Sequence, residues 1–234
     1  VNWAFRAGCI TVVLGPNAAG KSTLLRCLIG AQRPTSGRVQ LDGEPVHRLS
    51  PRAVALRVAY VSQRPTALAG FTVREVVGFG CYARMASTNQ IDDALERLEL
   101  VEHADRPMHE LSVGQQQRVS LARAIAQLQR KGILVLDEPT SSMDLRHARR
   151  VSQLLRELTR DGATVIVALH DLVAASSLAD EALLFDEGRL VASGEADEVL
   201  TPSRLEAVYG VPFVETVTAA GRRTIVPDST AVGD

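Results

Sequence analysis

The sequence has 234 residues, 46% hydrophobic and 23% charged, with a formal net charge of -1. That is ordinary globular composition, enough for one substantial core or a core with a subdomain, and it offers no electrostatic footprint for nucleic acid. The longest apolar runs, such as residues 133–136 and 165–169, are far too short to cross a bilayer, and no secretory leader pattern opens the chain. A cytoplasmic chain that meets a membrane only through a partner is expected. Cys9, Cys27 and Cys81 are odd in number and far apart, with no C-x-x-C pair, as free thiols in a reducing compartment would be.

Ile10-Thr11-Val12-Val13-Leu14 reads as a strand buried on both faces of a parallel sheet. Directly after it, Gly15-Pro16-Asn17-Ala18-Ala19-Gly20-Lys21-Ser22 fits G-x-x-x-x-G-K-[ST]. Small residues let backbone N–H groups close around the β- and γ-phosphates of a nucleotide, and a following helix adds its positive end. Lys21, one of only two lysines with Lys131, supplies a point charge, and the Ser22 hydroxyl can ligate Mg²⁺. A random chain this long meets the bare pattern roughly one time in a hundred. Here it also stands between a strand and a predicted helix, in which Leu24, Leu25, Leu28 and Ile29 share a face. Thr23 belongs to the same nucleotide-binding set.

Residues 39–43 read as a strand ending in a turn, and residues 58–61 as another strand. From 72 to 100 the period is helical: Val73, Val76 and Val77 share one face, as do Ile91, Leu95 and Leu98. A further helix over 111–129 opens with a capping box, Ser112 as N-cap and Gln115 three residues on. Residues 133–136 and 164–169 are again buried strands. The sequence of elements implies an α/β fold, a P-loop core of mostly parallel sheet over 1–64 and 130–234, with a helical subdomain inserted at 65–129.

The strand 133–136 ends in Asp137-Glu138. Many α/β strands end in an acid, so alone the pair carries little weight. Beside a phosphate loop, Asp137 suits a Mg²⁺ ion and Glu138 suits orientation and deprotonation of an attacking water.

The segment 111–129, opening Leu111-Ser112-Val113-Gly114-Gln115, resembles the signature segment of ABC ATPases. Other stretches follow that family's order. Gln63 matches the Q-loop glutamine, which there touches Mg²⁺ and the attacking water. Ser141-Ser142-Met143-Asp144 matches the D-loop, with Asp144 crossing a dimer interface. His170 matches the switch histidine at the γ-phosphate. The resemblance implies ATP held with Mg²⁺ between the loop of one copy and the signature helix of a second. It implies ATP hydrolysis coupled to a membrane permease, at the cytoplasmic face, with an extracytoplasmic substrate-binding protein as an indirect partner.

Residues 71–80, 104–107, 198–202 and Val208-Tyr209-Gly210-Val211 are similar to the importers of ferric siderophores, haem and cobalamin. Competing readings are a soluble or exporter-type ABC ATPase, and a truncated nucleotide-binding module with little turnover. Two departures stand out. Val113 replaces the first glycine of LSGGQ, which narrows the approach of a phosphate and implies some loss of activity. Family members also carry a β segment before the position of Ile10, with an aromatic that stacks on adenine. Trp3 and Phe5 stand too close to Gly15 for that role, so a truncated start and weaker ATP binding are expected.

Overall fold

A computed structural model describes residues 1–65, 68–84, 88–218, 221 and 223–228. The first strand, β1 (Ile10–Leu14), has all five residues buried. Its one polar side chain, Thr11, is satisfied by donating to Glu181 Oε2 at 3.1 Å. The loop after β1 leads into α1 (Lys21–Leu28), then to a short hairpin of β2 (Gln40–Leu41) and β3 (Glu44–Pro45). Next come α2 (Pro51–Ala55), capped by Ser50, and β4 (Val58–Val61).

Helices α3 (Val73–Gly78), α4 (Thr88–Arg97) and α5 (Val113–Gln127) fill the stretch between β4 and the next strand. The helical period read over 72–100 does not form one helix. It stops at Gly78, tightens into a single 3₁₀ turn at Phe79–Cys81 and resumes in α4. Gly78 and Gly80 are poor helix formers, and periodicity alone does not register that break. The signature-like helix is also shorter than its apolar pattern, because Leu128 is already extended.

The second half alternates β5 (Ile133–Asp137), α6 (Leu145–Arg160), β6 (Thr164–Ala168), α7 (Leu172–Leu178) and β7 (Glu181–Asp186). Then follow β8 (Arg189–Glu195), α8 (Ala196–Val199) and α9 (Pro202–Tyr209), and a hairpin of β9 (Phe213–Val217) and β10 (Arg223–Pro227) closes the described chain. Among the described residues the main sheet runs β4-β5-β6-β1-β7-β8. All its pairings are parallel except β7 with β8.

Both faces of this sheet are covered, which is why its strands are apolar throughout. On one side α6 buries Val151, Leu154, Leu155 and Leu158, spaced as one helical stripe. The apolar cluster on that side continues without a break from Leu134 and Val167 to Val73, Leu95 and Leu121 of the inserted helices. The other cluster lies under α1 and takes in Val13, Leu25, Val135 and Phe185, with Trp3 and Phe5 packed against it.

Leu134 lies on a central strand and is fully buried. Leu134→Ala is expected to destabilise the fold by about 2–5 kcal/mol, read as a lower urea midpoint with an unchanged slope.

Candidate functional site

The glycine-rich loop is held by backbone shape more than by side chains. Gly15 sits at φ +145, and a Cβ there would come within 2.3 Å of the Phe185 carbonyl oxygen. Only glycine meets both conditions. Ala18 adopts φ 63, a left-handed conformation that costs a residue with a Cβ roughly 1–2 kcal/mol. Ala19 turns inward and packs in the cluster under α1.

Lys21 begins α1 and is 5% exposed. Its ammonium donates to the carbonyls of Gly15 (2.7 Å) and Pro16 (3.0 Å), so the charge sits inside the loop's own curve. Burial pulls the Lys21 pKa below the ordinary lysine value, and the nearby carboxylates of Glu138 and Asp137 oppose that pull.

Those carboxylates come from the end of β5. Successive residues of a strand point to opposite faces. Glu138 escapes this rule by taking φ 51, while its N–H donates to the Ala168 carbonyl at 3.1 Å. One Glu138 oxygen accepts from Gln63 Nε2 at 2.7 Å, and the other pairs with His170 Nε2. The carboxylate is thereby fixed from both sides. Asp137 is 2% exposed, and its Oδ1 has no hydrogen-bond partner among the described residues.

An unpaired buried carboxylate oxygen is costly, and a hard cation that takes oxygen ligands fits it. Lys21, Glu138 and Asp137 lie close enough to interact electrostatically, and the Ser22 hydroxyl belongs to the same loop. Among the described residues no cluster of three or more His, Cys, Asp or Glu forms a self-sufficient metal cage. The oxygen donors of Asp137 and Ser22 would fit a Mg²⁺ ion as part of its shell.

One cleft brings most of the expected residues together: Asn17 to Thr23 of the loop, with Gln63, Glu138 and His170. Gly15 and Pro16 form the loop's base through their carbonyls. Leu111, Ser112, Val113, Gly114, Gln115 and Asp144 do not line this cleft. The capping box at α5 is complete: Gln115 N–H donates to Ser112 Oγ, and Ser112 N–H donates to Gln115 Oε1. Val113 keeps a negative φ and leaves its side chain 59% exposed, so it distorts nothing in its own chain. Gly114 lies so close to the loop after β5 that a Cβ would stand 2.7 Å from Ser142 O. Asp144 caps α6 by accepting from His147 N–H at 2.9 Å, and this bond, with the His147 ring, holds its carboxyl below the ordinary range.

Two contacts of the site escape a reading of motifs. Gln117 of α5 is fully buried, and its amide nitrogen points at the Ser62 carbonyl, next to Gln63, at 3.4 Å. Tyr209 of α9 accepts from Gly15 N–H at 3.0 Å. The helix period marks Gln117 only as a polar residue among apolar neighbours, and no local signal links residue 209 to residue 15. Asp171, next to His170, caps α7 by accepting from Val173 and Ala174 N–H.

The ABC transporter family matches residues 1–141. The hemin import ATP-binding protein HmuV of Rhodopseudomonas palustris (strain BisA53) is 38% identical over 97% of this chain and 87% of its own length. Among solved structures, a metal-chelate type ABC transporter in an inward-facing conformation has a TM-score of 0.82 at 28% identity, covering 100% of this chain and 92% of its own. The dimeric ATP-binding cassette MJ0796, in a post-hydrolysis state with ADP and Pi, has a TM-score of 0.76 at 26% identity, over 84% of this chain and 89% of its own.

Gly114→Ala is expected to push the start of α5 off the loop at Ser142. ATPase turnover should fall by about ten- to a hundredfold while ATP affinity stays near the parental value. A phosphate-release assay beside a nucleotide-binding titration checks this.

Proposed function

The chain belongs to the ABC transporter family as an ATP-binding ATPase, and from that premise we propose that it drives uptake of a metal chelate of the haem or siderophore class. The similarity to a hemin import ATP-binding protein and to a metal-chelate transporter supports the cargo class. The observation that carries the catalytic assignment is Glu138, gripped by Gln63 and His170 at the mouth of the phosphate loop.

In this reading the loop N–H groups between Asn17 and Thr23 and the N-terminus of α1 hold the ATP phosphates, with Lys21 as the fixed charge, seated by the carbonyls of Gly15 and Pro16. Ser22, Asp137 and Gln63 hold Mg²⁺, which neutralises charge on the phosphates when bound. Glu138 accepts a proton from water as that water attacks the γ-phosphorus. The bond from the γ-phosphorus to the bridging oxygen breaks, ADP leaves, and the proton departs with phosphate. Gln63 keeps the Glu138 carboxylate aimed. His170, 43% exposed beside it, also reaches the γ-phosphate.

The remaining donors come from a second copy. Ser112 and Val113 are exposed at the start of α5, and with Leu111, Gly114 and Gln115 they form the segment that closes on the γ-phosphate in trans. Asp144 lies along that interface. Such a dimer accords with the dimeric cassette named above. Residues 65–129 act as the helical subdomain that carries α5 toward and away from the partner. Among the described residues no helix is long and apolar enough to cross a membrane. We assign membrane association to permease subunits at the cytoplasmic face, with cargo delivered by an extracytoplasmic substrate-binding protein.

Glu138→Gln keeps the hydrogen-bonding shape and removes the base. Turnover should fall by about 10²- to 10⁴-fold with ATP binding retained. Hydrolysis by this variant at the parental rate would remove Glu138 from the role.

A further inference from the structure

The tail from residue 196 onward has no part in the chemistry above, yet it bonds the loop at Gly15 and packs on the helix after His170. Helix α9 starts on Pro202 and stops at Gly210, which is left-handed at φ 70. Its last residue, Tyr209, is half-buried, with its ring edge-on to Phe213 at a centroid separation of 6.0 Å. The Tyr209 hydroxyl oxygen accepts the Gly15 N–H at 3.0 Å. The carbonyl of the same Gly15 accepts from the Lys21 ammonium at 2.7 Å. The Phe185 carbonyl occupies the place of a Gly15 side chain. Gly15 is thus fixed through its N–H, its C=O and its missing Cβ.

The same tail also packs on the helix that follows His170, a residue of the cleft. Strand β10 packs on α7, with Ile225 buried and Thr224 Oγ1 3.1 Å from Ser176 Oγ. Helix α7 follows directly on His170 and Asp171. One segment therefore holds both the loop that starts at Gly15 and the helix that follows His170.

We propose that Tyr209 is a positioning residue for nucleotide binding. Its hydroxyl fixes the Leu14–Gly15 peptide, the point from which the next peptide carries the carbonyl that seats Lys21 and the loop turns toward phosphate. The inference rests on the reading of that loop as the ATP site. Glycine loses more conformational freedom on ordering than any other residue, and Gly15 stands where the chain leaves the sheet. An external acceptor at this N–H settles the peptide plane before ATP arrives, so less ordering is left to be done on binding.

The test compares the full chain with Tyr209→Phe and Tyr209→Leu, each assayed for Mg-ATP affinity, steady-state kinetics and melting temperature without nucleotide. Tyr209→Phe keeps the ring on Phe213 and removes only the acceptor. It should raise Kd and KM for ATP by about three- to tenfold with kcat within about twofold, the size of one lost hydrogen bond. Tyr209→Leu should lower the melting temperature further but leave KM where Tyr209→Phe puts it. Parental Kd and KM in Tyr209→Phe would overturn the inference, and so would a KM that tracks melting temperature across both variants. Failure of the unaltered chain to bind Mg-ATP would overturn the assignment of the loop itself, a result distinguishable from the others.

Discussion

Parallel pairing of β4, β5, β6 and β1 is the constraint on which the site depends. Parallel strands end on the same edge of a sheet, so whatever follows their carboxyl ends is brought together. Gln63 follows β4, Asp137 and Glu138 close β5, His170 follows β6, and the phosphate loop follows β1. Four stretches scattered over more than half the chain thereby share one cleft. The burial of these strands on both faces keeps that edge rigid, since a slip of register would move every apolar side chain.

Within this frame the electrostatics are tight. Lys21, Asp137 and Glu138 interact inside a largely dehydrated corner, where charge–charge terms exceed those in water. The lysine is partly balanced by carboxylates and partly by loop carbonyls. In the site itself strain is accepted at Ala18 and Glu138, two of the five described non-glycine residues at positive φ. At Glu138 it has a visible consequence: the carboxylate swings to the cleft and meets both Gln63 and His170.

Much of this arrangement was legible in the sequence. Residues 10–14, 133–136 and 164–169 read as buried strands because a parallel sheet covered on both faces demands uninterrupted apolar runs. The phosphate loop was legible because its chemistry permits few residue types. The capping box of Ser112 and Gln115 was legible because it is local. The break after Gly78 was not, since the apolar period runs through it. Nor was the turn at Glu138, because a strand end in the sequence carries no record of φ. Capping by Asp144 was masked by the expectation of a role at a dimer interface. The bond from Tyr209 to Gly15 spans 194 positions and has no periodic or motif signal. The proposed division of the ATP site between two copies has no local signal in the sequence and comes only through family resemblance.

We propose that division because the cleft of one chain is lined by the loop, Glu138 and His170 but not by the signature segment. Sedimentation velocity of the Glu138→Gln chain, with and without Mg-ATP, addresses it most directly. The chain should be a monomer without nucleotide and a dimer with Mg-ATP, and an added charge at Ser112 should abolish the dimer. A chain that binds Mg-ATP and remains monomeric at tens of micromolar would contradict it.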